Sequence, residues 1–206
     1  MAQKMSYQSH RGLIVIEGPV SGHEIEKLTM NEKLTNFRPP KKQQKALVEI
    51  SQLPMGMIYI ARHEKEIVGY ITFHEPDKYT RWSKHPAVIE MGGIEVSEDW
   101  RLCKIGENLL KLGFSNPELE NYIAITMEFC WHWDVNQTGL SVWDYQRMLT
   151  KLFGRVGLVQ VPTDDPDILE HPANVLMVRF GKNVSKDDRM LFERMTFEGK
   201  MNTMIG

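Results

Sequence analysis

Between Met91 and Leu110 the chain reads MGGIEVSEDWRLCKIGENLL, a set of residue types suited to holding an anion. The order is strand, polar turn, then amphipathic helix. The first backbone N–H groups of such a helix have no intrahelical partner and carry partial positive charge, so a phosphate group fits there. Arg101 adds a fixed charge, and Gly106 removes a side chain from the approach. The same spacing also suits an ordinary strand-turn-helix corner. Two carboxylates, Glu90 and Glu95, flank Gly92-Gly93 on the strand. Five residues apart, they face opposite sides of a regular strand, and a bulge at the glycines would change that parity. A third arrangement, Cys130-x-His132-x-Asp134, has the residue types of a zinc site. Three ligands from one strand with no fourth supplier nearby make poor geometry, and we expect no metal there.

The composition narrows the partners. With 25 Lys+Arg against 27 Asp+Glu the formal net charge is -2, so the basic excess that drives nucleic-acid binding is missing. A hydrophobic share of 42% excludes disorder and supports a packed core. No apolar run reaches the roughly 18 residues of a membrane span. Two cysteines and no apparent signal peptide point to the cytoplasm.

Several elements must position these residues. Residues 1–10 are polar and read as a flexible N-terminal arm. Leu13 to Ile16 forms a strand ended by Gly18-Pro19, and Ser21 with Glu24 opens a helix from Gly22 to Met30. Pro39-Pro40 starts a second helix, with Ala46, Leu47, Ile50 and Leu53 at helical spacing. Met57 to Arg62 and Glu66 to Phe73 form a hairpin, and Val88 to Val96 a strand whose paired glycines imply a bulge or a close backbone. A helix over 104–112 follows, then a strand from Tyr122 to Trp133 and a helix over 141–153. Strands at 158–162 and 175–180 and a helical tail over 186–195 complete the chain. We expect one α/β domain, residues 11–181, with a central mixed sheet flanked by helices, and a C-terminal helical tail over 182–206.

Arg101-x-x-x-x-Gly106 ahead of Leu109-Leu110 resembles the pyrophosphate loop of GNAT-type N-acetyltransferases, with Lys104 where that loop has its first glycine. Further stretches resemble one bacterial branch of that superfamily, the acetoin-utilisation acetyltransferases. They include Phe37-Arg38-Pro39-Pro40, Ile67-Val68-Gly69-Tyr70, Trp131-His132-Trp133-Asp134, His171-Pro172-Ala173-Asn174 and Gly181-Lys182-Asn183-Val184-Ser185. The resemblance implies a single acetyltransferase domain with a splayed sheet. It implies a lysine acetyltransferase that uses acetyl-CoA and inactivates acetyl-CoA synthetase. On that basis Ile94 and Val96 bind the pantetheine arm, and Arg101, Leu102, Lys104, Ile105, Gly106 and Glu107 the pyrophosphate. Glu90, ahead of Glu95, is the general base, and Trp131, His132 and Asp134 line the acceptor groove. Relatives protonate the CoA thiolate from a helix tyrosine, but here Phe153 holds that position, and Tyr145 lies two turns earlier.

The residues also fit two rival readings: a small-molecule N-acetyltransferase, and a non-catalytic acyl-CoA-sensing module that clamps a partner enzyme. Target lysine, acyl-chain preference and oligomeric state leave no trace in the sequence.

Overall fold

The computed structural model describes residues 2–198, which form an α/β fold with a mixed nine-stranded sheet flanked by helices. The strand order is β1-β2-β4-β5-β6-β7-β9-β8, with β3 on β5. Contacts divide the chain into two units, 1–74 with 91–116, and 75–90 with 117 onward.

In the first unit β1 (Gln3–Ser9) pairs antiparallel with β2 (Gly12–Gly18) along its whole length. The expected flexible arm is therefore a strand. Its polar sequence hides this, because what holds it is the ladder together with tertiary bonds such as Tyr7 Oη to the Cys103 carbonyl at 2.8 Å. Helix α1 (Gly22–Glu26) is capped by the Ser21 hydroxyl but ends four residues earlier than expected. Thr29–Met30 instead forms β3, parallel to β5, and the bonds Thr29 N to Lys65 O and Asn31 N to Ile67 O, both 2.9 Å, replace further helical ones. Helix α2 (Pro40–Ser51) starts on a proline whose missing N–H costs nothing there. Strands β4 (Met57–His63) and β5 (Glu66–His74) make the expected hairpin. Ile25, Leu34, Leu47, Ile58, Ile60 and Tyr70 form the core beneath the first two helices. Strand β6 (Val88–Val96) leads to α3 (Ile105–Phe114), which packs on β2, β4 and β5. Gly69 makes that packing possible: a Cβ there would lie 3.0 Å from both Glu95 O and Ile105 Cγ2.

The second unit contains the first three residues of β6, whose parallel ladder with β7 (Ile123–Glu128) covers Val88 to Glu90. A turn of 3-10 helix at Cys130–His132 and the short α4 (Val135–Thr138) follow. The expected strand from Tyr122 to Trp133 thus stops at Glu128. Helix α5 (Val142–Gly154) precedes β8 (Val159–Val161), α6 (Pro166–Leu169), β9 (Val175–Phe180) and α7 (Lys186–Met195). Strand β9 runs antiparallel to both β7 and β8. Trp82 stacks on Phe192 at 5.2 Å over Val88, Ile125 and Val178. The helical tail expected over 182–206 is α7 as far as Met195; residues 199–206 lie outside the described part. No helix among the described residues is long and apolar enough to cross a membrane.

Candidate active site

The segment expected to hold an anion lies within the first unit from Met91 onward, as one continuous strand, loop and helix. Beyond Val96, the Ser97 amide donates to Val68 O at 2.9 Å, and its hydroxyl donates to Asn31 Oδ1 at 2.8 Å. Trp100 is buried against His63, ring centres 5.0 Å apart. The loop then passes through two left-handed residues, Leu102 at φ 63° and Lys104 at φ 60°. Each costs about 1–2 kcal/mol for a residue with a Cβ. Leu102 is 95% exposed, so no burial of its side chain offsets that cost. Lys104 N-caps α3 with no side-chain cap, and the first amides of the helix keep their capacity for an acceptor. The lysine adopts the very backbone conformation that a glycine takes without strain. It therefore preserves the path of the loop and adds an ammonium group. Ile105, Gly106 and Glu107 form the first turn, with Glu107 bound to Lys111 at 2.7 Å. Tyr7 braces the loop from β1, and His10 Nδ1 lies 3.7 Å from the buried Cys103 thiol.

The two strand carboxylates have different surroundings. Glu95 is buried and bonded on both oxygens, by Tyr70 Oη at 2.6 Å and by the Asn36 amide at 2.8 Å. Burial pushes its carboxyl above the ordinary range, against those bonds and one from the Thr35 backbone. The same burial, with the Glu95 charge, pushes the Tyr70 hydroxyl up. Glu95 thereby ties segment 31–38 to β6. Glu90 is half-buried in β6, in register with Ile125 of β7.

Trp131, His132 and Asp134 belong to the second unit. Cys130 and His132 lie on the 3-10 turn, not on one strand face as the spacing suggested, because β7 has already ended. Trp131, 52% exposed, stacks on Phe129 at 4.9 Å, and the buried Trp133 stacks on Tyr145 at 5.5 Å. Desolvation lowers His132 below the usual imidazole range and raises Glu128, which accepts a bond from Thr126 Oγ1 at 2.8 Å. Phe153, where a tyrosine was sought, is fully buried in α5. Arg81 is bound to Asp164 and Asp165, and Arg179 to Glu120, so both arginines brace the second unit.

Sequence reasoning missed Tyr70, Asn36 and Glu128, because nothing in their local sequence reveals the partners that matter. At Gly92-Gly93, what comes nearest is side chains: His74 at Gly92 and Phe37 at Gly93.

Comparison with known proteins bears directly on this segment. Residues 26–114, including all of β6 and α3, match the Acetyltransferase (GNAT) family. The acetoin utilization protein AcuA of Bacillus licheniformis is 43% identical over 195 residues, covering 94% of this chain and 93% of that protein. AcuA of Bacillus subtilis is 44% identical over 188 residues, 90% of each. The crystal structure of an acetoin utilization protein from Exiguobacterium sibiricum superposes with a TM-score of 0.95 at 40% identity, over 98% of this chain and 97% of that one. Identity of this order over nearly the whole length leaves one conclusion: the chain belongs to the GNAT acetyltransferase family, alongside the acetoin utilization proteins AcuA.

Proposed function

We propose that this protein acetylates a lysine of acetyl-CoA synthetase and thereby inactivates it, using acetyl-CoA, the co-substrate of its family, in the cytoplasm. The observation that carries the reading is the loop before α3: two left-handed residues, Arg101 and Lys104 as cations, and an uncapped helix start. That set fits a pyrophosphate, which needs closely spaced amides and positive charge. Ile94 and Val96 then offer main-chain groups to the pantetheine amides, as an added strand would use them.

A lysine amine has a pKa of about 10.4, so exposing the nucleophile near pH 7.5 costs roughly 4 kcal/mol. A carboxylate that accepts the proton lowers that barrier. Glu95 has both oxygens engaged, one by the Asn36 amide and the other by the Tyr70 hydroxyl, which supports Glu90 as the base and Glu95 as the residue that positions the strand. Trp131, His132 and Asp134 are proposed to line the acceptor groove. The exposed Trp131 ring supports a protein acceptor, since exposed aromatic side chains dominate protein contacts.

Intact mass spectrometry of purified acetyl-CoA synthetase, incubated with this protein and acetyl-CoA, tests the reading. A gain of one acetyl group that needs both components, and that Glu90→Gln abolishes, supports it. CoA release only with free small amines assigns a small-molecule acetyltransferase instead. Inhibition without acetyl transfer, kept by Glu90→Gln, assigns a non-catalytic clamp.

A further inference from the structure

Gly92 lies within β6 at a point where any side chain would collide with an imidazole. A Cβ built there falls 1.9 Å from His74 Nε2 and 2.9 Å from both adjacent ring carbons. His74 is the last residue of β5 and is half-buried. Its ring therefore occupies the space that a residue-92 side chain would take, with Nε2 directed at the β6 main chain. At Gly93 a Cβ would lie 3.4 Å from the Phe37 ring. The paired glycines thus admit one titratable ring and one apolar ring onto the strand.

We propose that His74 is a second proton-handling catalytic residue: it takes the second proton from the acceptor nitrogen and delivers it to the departing CoA sulfur. This rests on the acetyl-transfer reading above. With the pyrophosphate at the start of α3 and the pantetheine on Ile94 and Val96, the arm runs back along β6 toward Gly92. At about 3.3 Å per residue, Gly92 lies about 7 Å beyond Ile94, which puts the thioester alongside the His74 ring.

The proton count leaves a task for such a group. A lysine ammonium must lose two protons to become an amide, and one carboxylate removes only the first. Once a base has taken that proton, the neutral nitrogen forms a C–N bond to the thioester carbon, and the carbonyl electron pair moves to oxygen. The adduct nitrogen is now positive and carries two hydrogens. A ring nitrogen of His74 takes one of them. The oxygen pair re-forms the carbonyl, the C–S bond breaks with its electrons on sulfur, and the imidazolium returns its proton to that sulfur. The products are the amide, the CoA thiol, a neutral imidazole and the base carrying the first proton, which it gives up to water. Imidazole suits the shuttle because it changes charge closest to neutral pH. Glu75 follows His74 in the chain, and Glu90 stands two residues before Gly92; both are titratable groups whose charge bears on this step. On the helices packed against β5, Glu107 pairs with Lys111 and Lys45 with Glu49.

The test uses the full chain, acetyl-CoA synthetase as acceptor, and CoA thiol release as the signal. His74→Ala should lower kcat about a hundredfold with little change in acetyl-CoA affinity, and added imidazole should restore about tenfold of the loss. Gly92→Ala keeps the histidine but displaces its ring, and should lower kcat without imidazole rescue. A His74→Ala enzyme within about threefold of wild type overturns the proposal. So does a folded, acetyl-CoA-binding His74→Ala enzyme that imidazole does not rescue. A wild-type chain that releases no CoA with the synthetase or with free amines overturns the acetyl-transfer reading itself, and the proposal with it.

Discussion

Glu95, near the end of β6, and Glu128, at the end of β7, are both pushed up by burial, yet they belong to regions built in opposite ways. Glu95 receives its bonds from Tyr70 and Asn36, which are 25 and 59 residues away in the chain. Glu128 receives one from Thr126, two residues away. The first carboxylate joins three separate stretches of chain and fixes a loop against the strand; the second is bonded within its own stretch of chain. Around Glu95 the segment is braced by Ser97, Asn31 and Trp100, whereas beyond Glu128 the chain turns out toward solvent and displays Trp131. The same direction of shift thus marks a positioning residue in one place and a neighbour of an exposed surface in the other. A raised carboxyl is informative only together with the reach of its bonds.

Removing the long-range tie should have the largest effect. Glu95→Ala leaves the buried Tyr70 hydroxyl without its acceptor and releases segment 31–38 from β6, and should cost about 3 kcal/mol in urea unfolding. A loss below about 1 kcal/mol would erase the contrast between the two carboxylates. Next comes the strained loop of the braced region. Lys104→Gly relieves the left-handed strain and should raise stability by about 1 kcal/mol while weakening acetyl-CoA binding through loss of the ammonium group. Paired thermal melts and calorimetric titrations would read both signs.

A smaller effect, with a defined pH sign, is expected at Glu128. The folded carboxyl holds its proton more tightly than the unfolded one, so its contribution to stability is complete at acid pH. It fades as pH rises above the ordinary carboxylate range. Glu128→Gln removes that titration, so its stability relative to wild type should improve between about pH 5 and pH 8. No change with pH would remove the buried character assigned to this region. The smallest effect on stability is expected at the exposed ring. Trp131→Ala should alter stability by no more than about 0.5 kcal/mol, yet reduce acetylation of a protein acceptor while leaving free amines unaffected. Equal loss on both kinds of acceptor would place Trp131 outside the docking surface.

Most helices and strands were legible locally. Hydrophobic period and turn chemistry placed the β4–β5 hairpin, β6, α2, α3, α5, β9 and α7, because each buries a face written into its own residues. The strand β1 was not legible, since a polar period-2 pattern resembles a loop until β2 supplies its partners. Nor was the end of β7 at Glu128, because Cys130 to Trp133 have strand-forming residue types that tertiary packing overrides. Of the candidate site, the loop from Arg101 to Gly106 was readable in its charges and glycine. The left-handed φ at Lys104 was not, because lysine carries no local signal for it.

By itself, the sequence determined the order of the main elements and the phosphate-suited corner, since these rest on residue types at short spacing, and its motifs along the whole chain carried the resemblance to the family. Only the tertiary structure decided that Glu95 is fastened at both oxygens and that β1 is a strand. It alone brought His74 and Phe37 onto the paired glycines. Those facts depend on residues far apart in the chain, and a glycine records only that something comes near, not what.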